Sequence, residues 1–337
     1  MTDSCQGRPP RLKGFPSVVD VRAFRNADIP DLIRLWKSAG LGRGAAAPEP
    51  IDIFENATVN RSYFDPRGCL IACRQGEVIG FVLAGFAIRP DRSSLDYKRG
   101  VVCFVLVSPN HRRRGIGRLL VRRVEQYLLA RGVETIDAGP HRGADPFGFG
   151  LYGGCRPSGF LRSDTAADPF MQAIGYNPIA SYEIKYRDLT VARDPTSARL
   201  MTIRRETELV ADERPDTPTW WWYEQYARSE AFRFHLRLRR NGAPIASINV
   251  VRLDQYGPVW GAQAPVGLVD LDVPAEFRGK GYGQTLLIEA CRQLRQQFVT
   301  RVEISLPTNS PTGLRAAANA GFVFTDEGIA YRLGQPR

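Results

Sequence analysis

Long apolar runs are missing from this chain of 337 residues. The longest, Val78 to Ile88, is broken by Gly80 and Gly85, and it falls well short of the roughly 20 apolar residues needed to span a bilayer. It predicts a buried strand and no membrane partner. Met1 to Gly14 is polar and has no apolar centre to make a secretory signal, so a cytoplasmic location is expected, with residues 1–17 a loose tail. Histidine is scarce: there are three, His111, His141 and His235. The six cysteines stand at 5, 69, 73, 103, 155 and 291, and no histidine completes a zinc spacing with the Cys69–Cys73 pair. The expectation is no metal and no disulfide, only buried thiols. Lysine is scarcer than the net charge of +11 suggests: five of 46 basic residues are lysine, and the arginines are scattered rather than massed among aromatics. That distribution argues against a nucleic-acid partner, although part of the excess suits a polyanionic ligand. With 43% apolar and 24% charged residues, the chain is ordinary for a globular protein, and its length suits two domains.

What is there is a repeat. Val105 to Gly117, containing Arg112-Arg113-Arg114-Gly115-Ile116-Gly117, pairs with Leu271 to Gly283, containing Arg278-Gly279-Lys280-Gly281-Tyr282-Gly283. The offset is constant at 166 (107 with 273, 117 with 283). Each copy follows an apolar run short enough for a strand and precedes apolar residues at helical spacing, Leu119 to Leu128 and Leu286 to Leu294. Upstream, Gln75-Gly76 and Asn241-Gly242 each separate two strand-like runs, predicting hairpins. Each half opens with an arginine-bearing strand, Val19 to Phe24 and Met201 to Arg205. In the first half Asp28 then predicts the cap of a helix with Pro30 in its first turn. A polar stretch around Asp194-Pro195 divides the halves, giving domains at 18–188 and 201–337 with a linker at 189–200.

A strand that releases into a glycine turn and a helix exposes successive backbone amides, which form a cradle for an anion. Glycine removes the side chains that would hold a phosphate away, and the helix dipole adds favourable potential. Arg112, Arg114, Arg278 and Lys280 are placed to add charge at the rim. Two nucleotide fingerprints are excluded. No Gly-x-x-x-x-Gly-Lys-Ser/Thr occurs, and the third glycine of a dinucleotide fold is replaced by Leu120 and Leu286.

At these residues the sequence resembles the GCN5-related N-acetyltransferase (GNAT) superfamily, whose Gln/Arg-x-x-Gly-x-Gly/Ala signature matches Arg112 to Gly117 and Arg278 to Gly283. The resemblance extends over about 18–188 and 201–335 and includes the late Gly175-Tyr176 and Gly321-Phe322. It implies an α/β (α+β) chain of two tandem domains, each a mixed, splayed sheet flanked by helices. It also implies that the turns hold the diphosphate of acetyl-CoA, the cosubstrate, and that no metal is needed. The binding set it implies is Leu106, Val107 and Arg112 to Arg118 in the first copy. In the second it is Asp272, Val273, Arg278 to Gln284, and Asn309. The implied reaction is direct transfer of an acetyl group to an amine.

Such an amine must lose a proton before it attacks. Asp270 and Asp272 lie two apart on the strand before the second turn, hence on one face, where paired like charges would raise one carboxyl toward a useful range. Phe104 and Leu106 occupy those places in the first copy. The family's tyrosine acid, four residues before the late glycine, is replaced by Met171 and Ala317. From Gly117 to Gly175 the first copy runs 58 residues, against 38 from Gly283 to Gly321, and the family layout places this excess beside the acceptor channel. Within it Tyr152 is the substitute acid candidate. Trp220 to Tyr223 and Tyr226 are either core or an acceptor wall. The second copy, with its carboxylates, is favoured as the catalyst and the first as a degenerate or regulatory copy; the alternative is a non-catalytic acyl-CoA sensor.

Overall fold

The computed structural model of the chain describes residues 19–42, 51–191, 193–212, 218–226, 230–253 and 265–334; the expected tail at 1–17 and Cys5 lie outside them. The first half runs β1 (Asp20–Ala23), α1 (Ile29–Ser38), α2 (Ile51–Ala57), β2 (Cys69–Arg74), β3 (Glu77–Ile88), β4 (Leu95–Val107), α3 (Ile116–Ala130), β5 (Thr135–Ala138), β6 (Phe160–Leu161), α4 (Ala167–Ala173) and β7 (Tyr176–Asp188). The second runs α5 (Ala198–Glu206), β8 (Thr207–Asp212), α6 (Trp220–Tyr226), β9 (Ala231–Leu238), β10 (Pro244–Arg252), β11 (Pro265–Asp272), α7 (Tyr282–Gln296), β12 (Arg301–Pro307), α8 (Pro311–Asn319) and β13 (Val323–Leu333). Among the described residues no helix is long and apolar enough to cross a membrane.

Both hairpins form. Gln75 and Gly76 take φ of 54° and 84° between β2 and β3, and Gly242 takes 70° between β9 and β10, the left-handed values that a tight hairpin turn requires. Two local expectations are corrected. Met201 to Arg205 is helix rather than strand: the Ser197 hydroxyl accepts from the Leu200 amide at 3.2 Å and starts α5, so the opening strand is β8. Asp28 precedes α1 but does not cap it. Its carboxylate turns back to a bidentate pair with Arg22 at 2.6 and 2.7 Å.

The two halves share one sheet. One mixed sheet of 13 strands runs in the order β1-β2-β3-β4-β5-β13-β7-β12-β11-β10-β9-β8, with β6 beside β13. The last strand of each half therefore completes the sheet of the other. β7 pairs with β12 from Asp188–Arg301 to Tyr182–Pro307, and β13 lies between β7 and β5, with Tyr331 opposite Ala138. The core follows the exchange: Val269, Ile329 and Tyr331 are buried among side chains of the first half.

Within this sheet the repeat holds to the residue. β4 and β5 pair in parallel from Arg99–Thr135 to Val102–Ala138, and β11 and β12 pair from Pro265–Arg301 to Leu268–Ile304, all 166 positions on. Beyond those four pairs the strands part company, β4 running on to Val107 and β11 to Asp272. Each half thus has a V-shaped gap that opens at a glycine turn.

Candidate functional site

The two turns are built alike. Gly115 (φ 80°) and Gly281 (φ 90°) precede α3 and α7, and neither helix has a side-chain cap. Arg113 (60°) and Gly279 (72°), also 166 apart, share the left-handed conformation. First-turn amides without an internal partner are therefore left for an outside acceptor. A Cβ at Gly115 would meet nothing within 4 Å, and one at Gly283 nothing nearer than Val273 at 3.4 Å. The cradles are open and fit a diphosphate.

The first arginine of each motif borders its cleft and also braces the end of the preceding strand. Arg112 Nε donates to the Val107 carbonyl at 3.0 Å and its guanidinium also reaches the Ala39 carbonyl. Arg278 Nε donates to Val273 at 2.8 Å. Both hold the strand end where it leaves the sheet. Arg114 and Lys280 are exposed beside the turns and do not line the clefts; Lys280 lies 5.9 Å over the Phe277 ring.

In the first half, Leu106, Val107, Arg112, Arg113, Gly115, Ile116, Gly117 and Arg118 border a cavity of about 520 Å³. Phe160, Pro169, Phe170 and Ile174 make its wall apolar, and Phe170 would stand 3.1 Å from a Cβ at Gly117. Its far end is filled. Phe104, at the place of Asp270, packs edge-on to Trp36 (5.3 Å) and close to Tyr152 (6.3 Å). Gly148 is pressed so closely on Phe104 that a Cβ there would come within 2.5 Å of the ring. Tyr152 belongs to this plug, which corrects its assignment as an acid. It is buried, its hydroxyl accepts from the Leu161 amide at 3.0 Å, and burial pushes it well above the ordinary phenol range.

In the second half a single cleft of about 670 Å³ runs from the turn along the β11–β12 gap. Asp272, Val273, Arg278, Gly279, Gly281, Tyr282, Gly283 and Gln284 line one end, with Ser310 and Asn319 of the α8 region. Asn309 is exposed on the turn before α8 and does not line the cleft; the asparagine that does is Asn319. At the other end stand Asp270, Arg142, Arg156, Tyr182 and Ser305. Three of these, Arg142, Arg156 and Tyr182, come from the first half.

Arg142 and Arg156 arrive on the long segment after β5, and Tyr182 on β7. The segment crosses to the second half: Cys155 fills the space above Gly267, its amide donates to Glu303 at 3.1 Å, and Ser158 bonds Ser305 at 2.6 Å. The aromatic cluster crosses the other way. In α6, Trp220 and Trp221 each lie 5.9 Å from Tyr63, and Gln225 donates to Asp145 at 3.0 Å. The cluster docks the halves together and is not the acceptor wall.

The carboxylate pair is also not as expected. Asp270 has φ 55° at an irregularity of the β10–β11 ladder, while Asp272 is exposed at the strand end. Arg156 pairs directly with Asp270, and Arg92 and Arg142 stand at 3.7 and 3.8 Å. Burial opposes ionisation of Asp270, but Arg156, Arg92 and Arg142 outweigh it and hold its carboxyl at about 2. Guanidiniums, not a second carboxylate, set its charge, and it is no base at neutral pH. The raised carboxyl of this cluster is Asp145, buried and 3.7 Å from Arg156. Sequence reasoning passed over Arg142, Arg156 and Tyr182; the 20 extra residues between the two glycines were the signal for the two arginines.

Residues 32–147 and again 197–322 match the sequence model of the acetyltransferase (GNAT) family. An acetyltransferase of Sodalis glossinidius (strain morsitans) is 33% identical over 119 residues, which is 35% of this chain and 73% of its own length. Among solved structures, a GCN5-related N-acetyltransferase from Sphaerobacter thermophilus superposes with a TM-score of 0.62 at 16% identity, over 95% of this chain and 96% of that one. A tandem GNAT protein from the clavulanic acid biosynthesis pathway gives 0.63 at 18%, over 95% and 100%. A glucosamine N-acetyltransferase region of a fungal multi-domain β-N-acetylglucosaminidase gives 0.70 at 17%, over 96% of this chain but 39% of the fungal chain. At such identities these structures are similar in fold.

Proposed function

Because this chain belongs to the acetyltransferase (GNAT) family, we propose that it transfers an acetyl group from acetyl-CoA to an amine, with the second copy as the catalyst. One observation carries the choice of copy. The second cleft is continuous from its glycine turn to a polar far end, whereas in the first the same path ends on Phe104 and Tyr152.

The uncapped amides at the start of α7 hold the diphosphate, and the free edge of β11 beyond Leu268 carries the pantetheine arm. Bound acetyl-CoA supplies a thioester carbonyl whose C–S bond breaks as the C–N bond forms. Asp272, at the cleft mouth, receives the proton that the amine sheds, directly or through water. Arg142 and Arg156 help from the other side, because an ammonium beside guanidiniums loses its proton more readily. The first copy keeps an acyl-CoA cradle without an acceptor path.

Titration calorimetry with acetyl-CoA, together with coenzyme A release on a panel of amines, tests this reading. Gly283→Trp is expected to remove turnover and one binding site; Gly117→Trp, in the plugged copy, spares turnover. Tight binding with no release on any amine would make the chain an acyl-CoA sensor instead.

A further inference from the structure

The far end of the second cleft carries more positive charge than its two carboxylates neutralise. Arg92, Arg142 and Arg156 surround Asp270, and Asp145 is the second acid within reach. Asp145 is buried in surroundings that favour its neutral form, so the net charge is at least one positive. The donors are not used up. Arg142 and Arg92 stand at 3.8 and 3.7 Å from Asp270, beyond hydrogen-bonding distance, and Arg156 Nε is buried without a partner among the described residues. The side chain of Arg142 is 55% exposed and borders the cleft. Asp270 precedes Val273 by three residues, roughly 10 Å along the strand, so this charge lies away from the turn that grips the diphosphate.

A simple alkylammonium entering here meets repulsion. An amine that also bears a carboxylate brings the anion that Arg142 lacks, and its amino group is left beside cations that favour loss of its proton. Resting on the transferase reading above, we propose that the acceptor is an amino-acid-like molecule whose carboxylate is bound by Arg142 at the mouth of the β11–β12 gap. Tyr182, which lines the same end, adds a hydroxyl donor. Asp270 is a positioning residue: it holds Arg156 and draws Arg142 toward the cleft.

Two measurements on the full chain test the proposal separately from the transferase reading. Equilibrium binding of N-acetylglycine against N-acetylglycinamide needs no turnover. The acid is expected to bind roughly ten- to a hundredfold more tightly, the range for one charge-assisted hydrogen bond. Arg142→Gln should erase that ratio and Arg142→Lys should restore most of it; since Arg142 is exposed, both variants are expected to fold. Equal binding of the two compounds, or a ratio that survives Arg142→Gln, overturns the proposal even if acetyl transfer to other amines is found. In the second measurement, coenzyme A release is followed with γ-aminobutyrate and with butylamine. A lower KM for the amino acid that is lost in Arg142→Gln supports the proposal, and preference for butylamine overturns it while leaving the enzyme a transferase.

Discussion

Replacing Asp270 by asparagine removes the anion on which the interlock of the two halves converges. Its side chain is 8% exposed, so the interaction is not screened as a surface pair is. A carboxyl held at about 2, against an ordinary 3.8, contributes roughly 2 kcal/mol at neutral pH. The variant also leaves Arg156, 12% exposed, with Asp145 at 3.7 Å as its remaining acid, and breaking a buried pair costs about 3–5 kcal/mol. A loss of about 3 kcal/mol is therefore expected in urea unfolding at pH 7. Because the folded pKa lies below the unfolded one, the contribution is complete above about pH 4 and fades as pH falls through about 2. The gap between the native protein and Asp270→Asn should accordingly narrow from about pH 4 downward. A gap below about 1 kcal/mol at pH 7, the size of a solvated surface pair, or one that stays constant down to about pH 2, would refute the reasoning.

Three further outcomes follow from the same structure. Deleting residues 323–334 removes β13 from between β5 and β7, so both halves should lose their near-ultraviolet circular dichroism together rather than the second alone. Tyr152→Phe leaves the Leu161 amide without its acceptor and should cost about 1–3 kcal/mol of stability without changing the rate of acetyl transfer, which separates packing from proton donation. Cys69, Cys103, Cys155 and Cys291 are buried free thiols, and burial pushes each up, Cys291 to about 11. All four should react with a thiol reagent only after denaturation; rapid labelling of any of them in the native protein would contradict the packing described.

The repeat was readable because its signals are local. Glycine at 115 and 281 marks the only residue type that takes a left-handed turn freely, and a constant offset needs no knowledge of packing. The bracing bonds of the first arginines were not readable for the opposite reason. Side-chain direction at Arg112 and Arg278 depends on carbonyls five residues back that are free only because the strand leaves the sheet there. Asp270 and Asp272 share a face only if the strand is regular, and the irregular ladder at φ 55° turns them apart.

By itself, then, the sequence determined the hairpins, the two glycine-opened helix starts and the 166-residue equivalence, since backbone conformation and hydrophobic period act over a few residues. Which edge the last strand of each half pairs with was decided by tertiary structure alone. β7 and β13 have similar lengths, and nothing local distinguishes a strand's own sheet from its neighbour's. The fit of the segment after β5, with Cys155 over Gly267 and Arg156 on Asp270, likewise depends on contacts between the halves, and it sets the charge of the cleft.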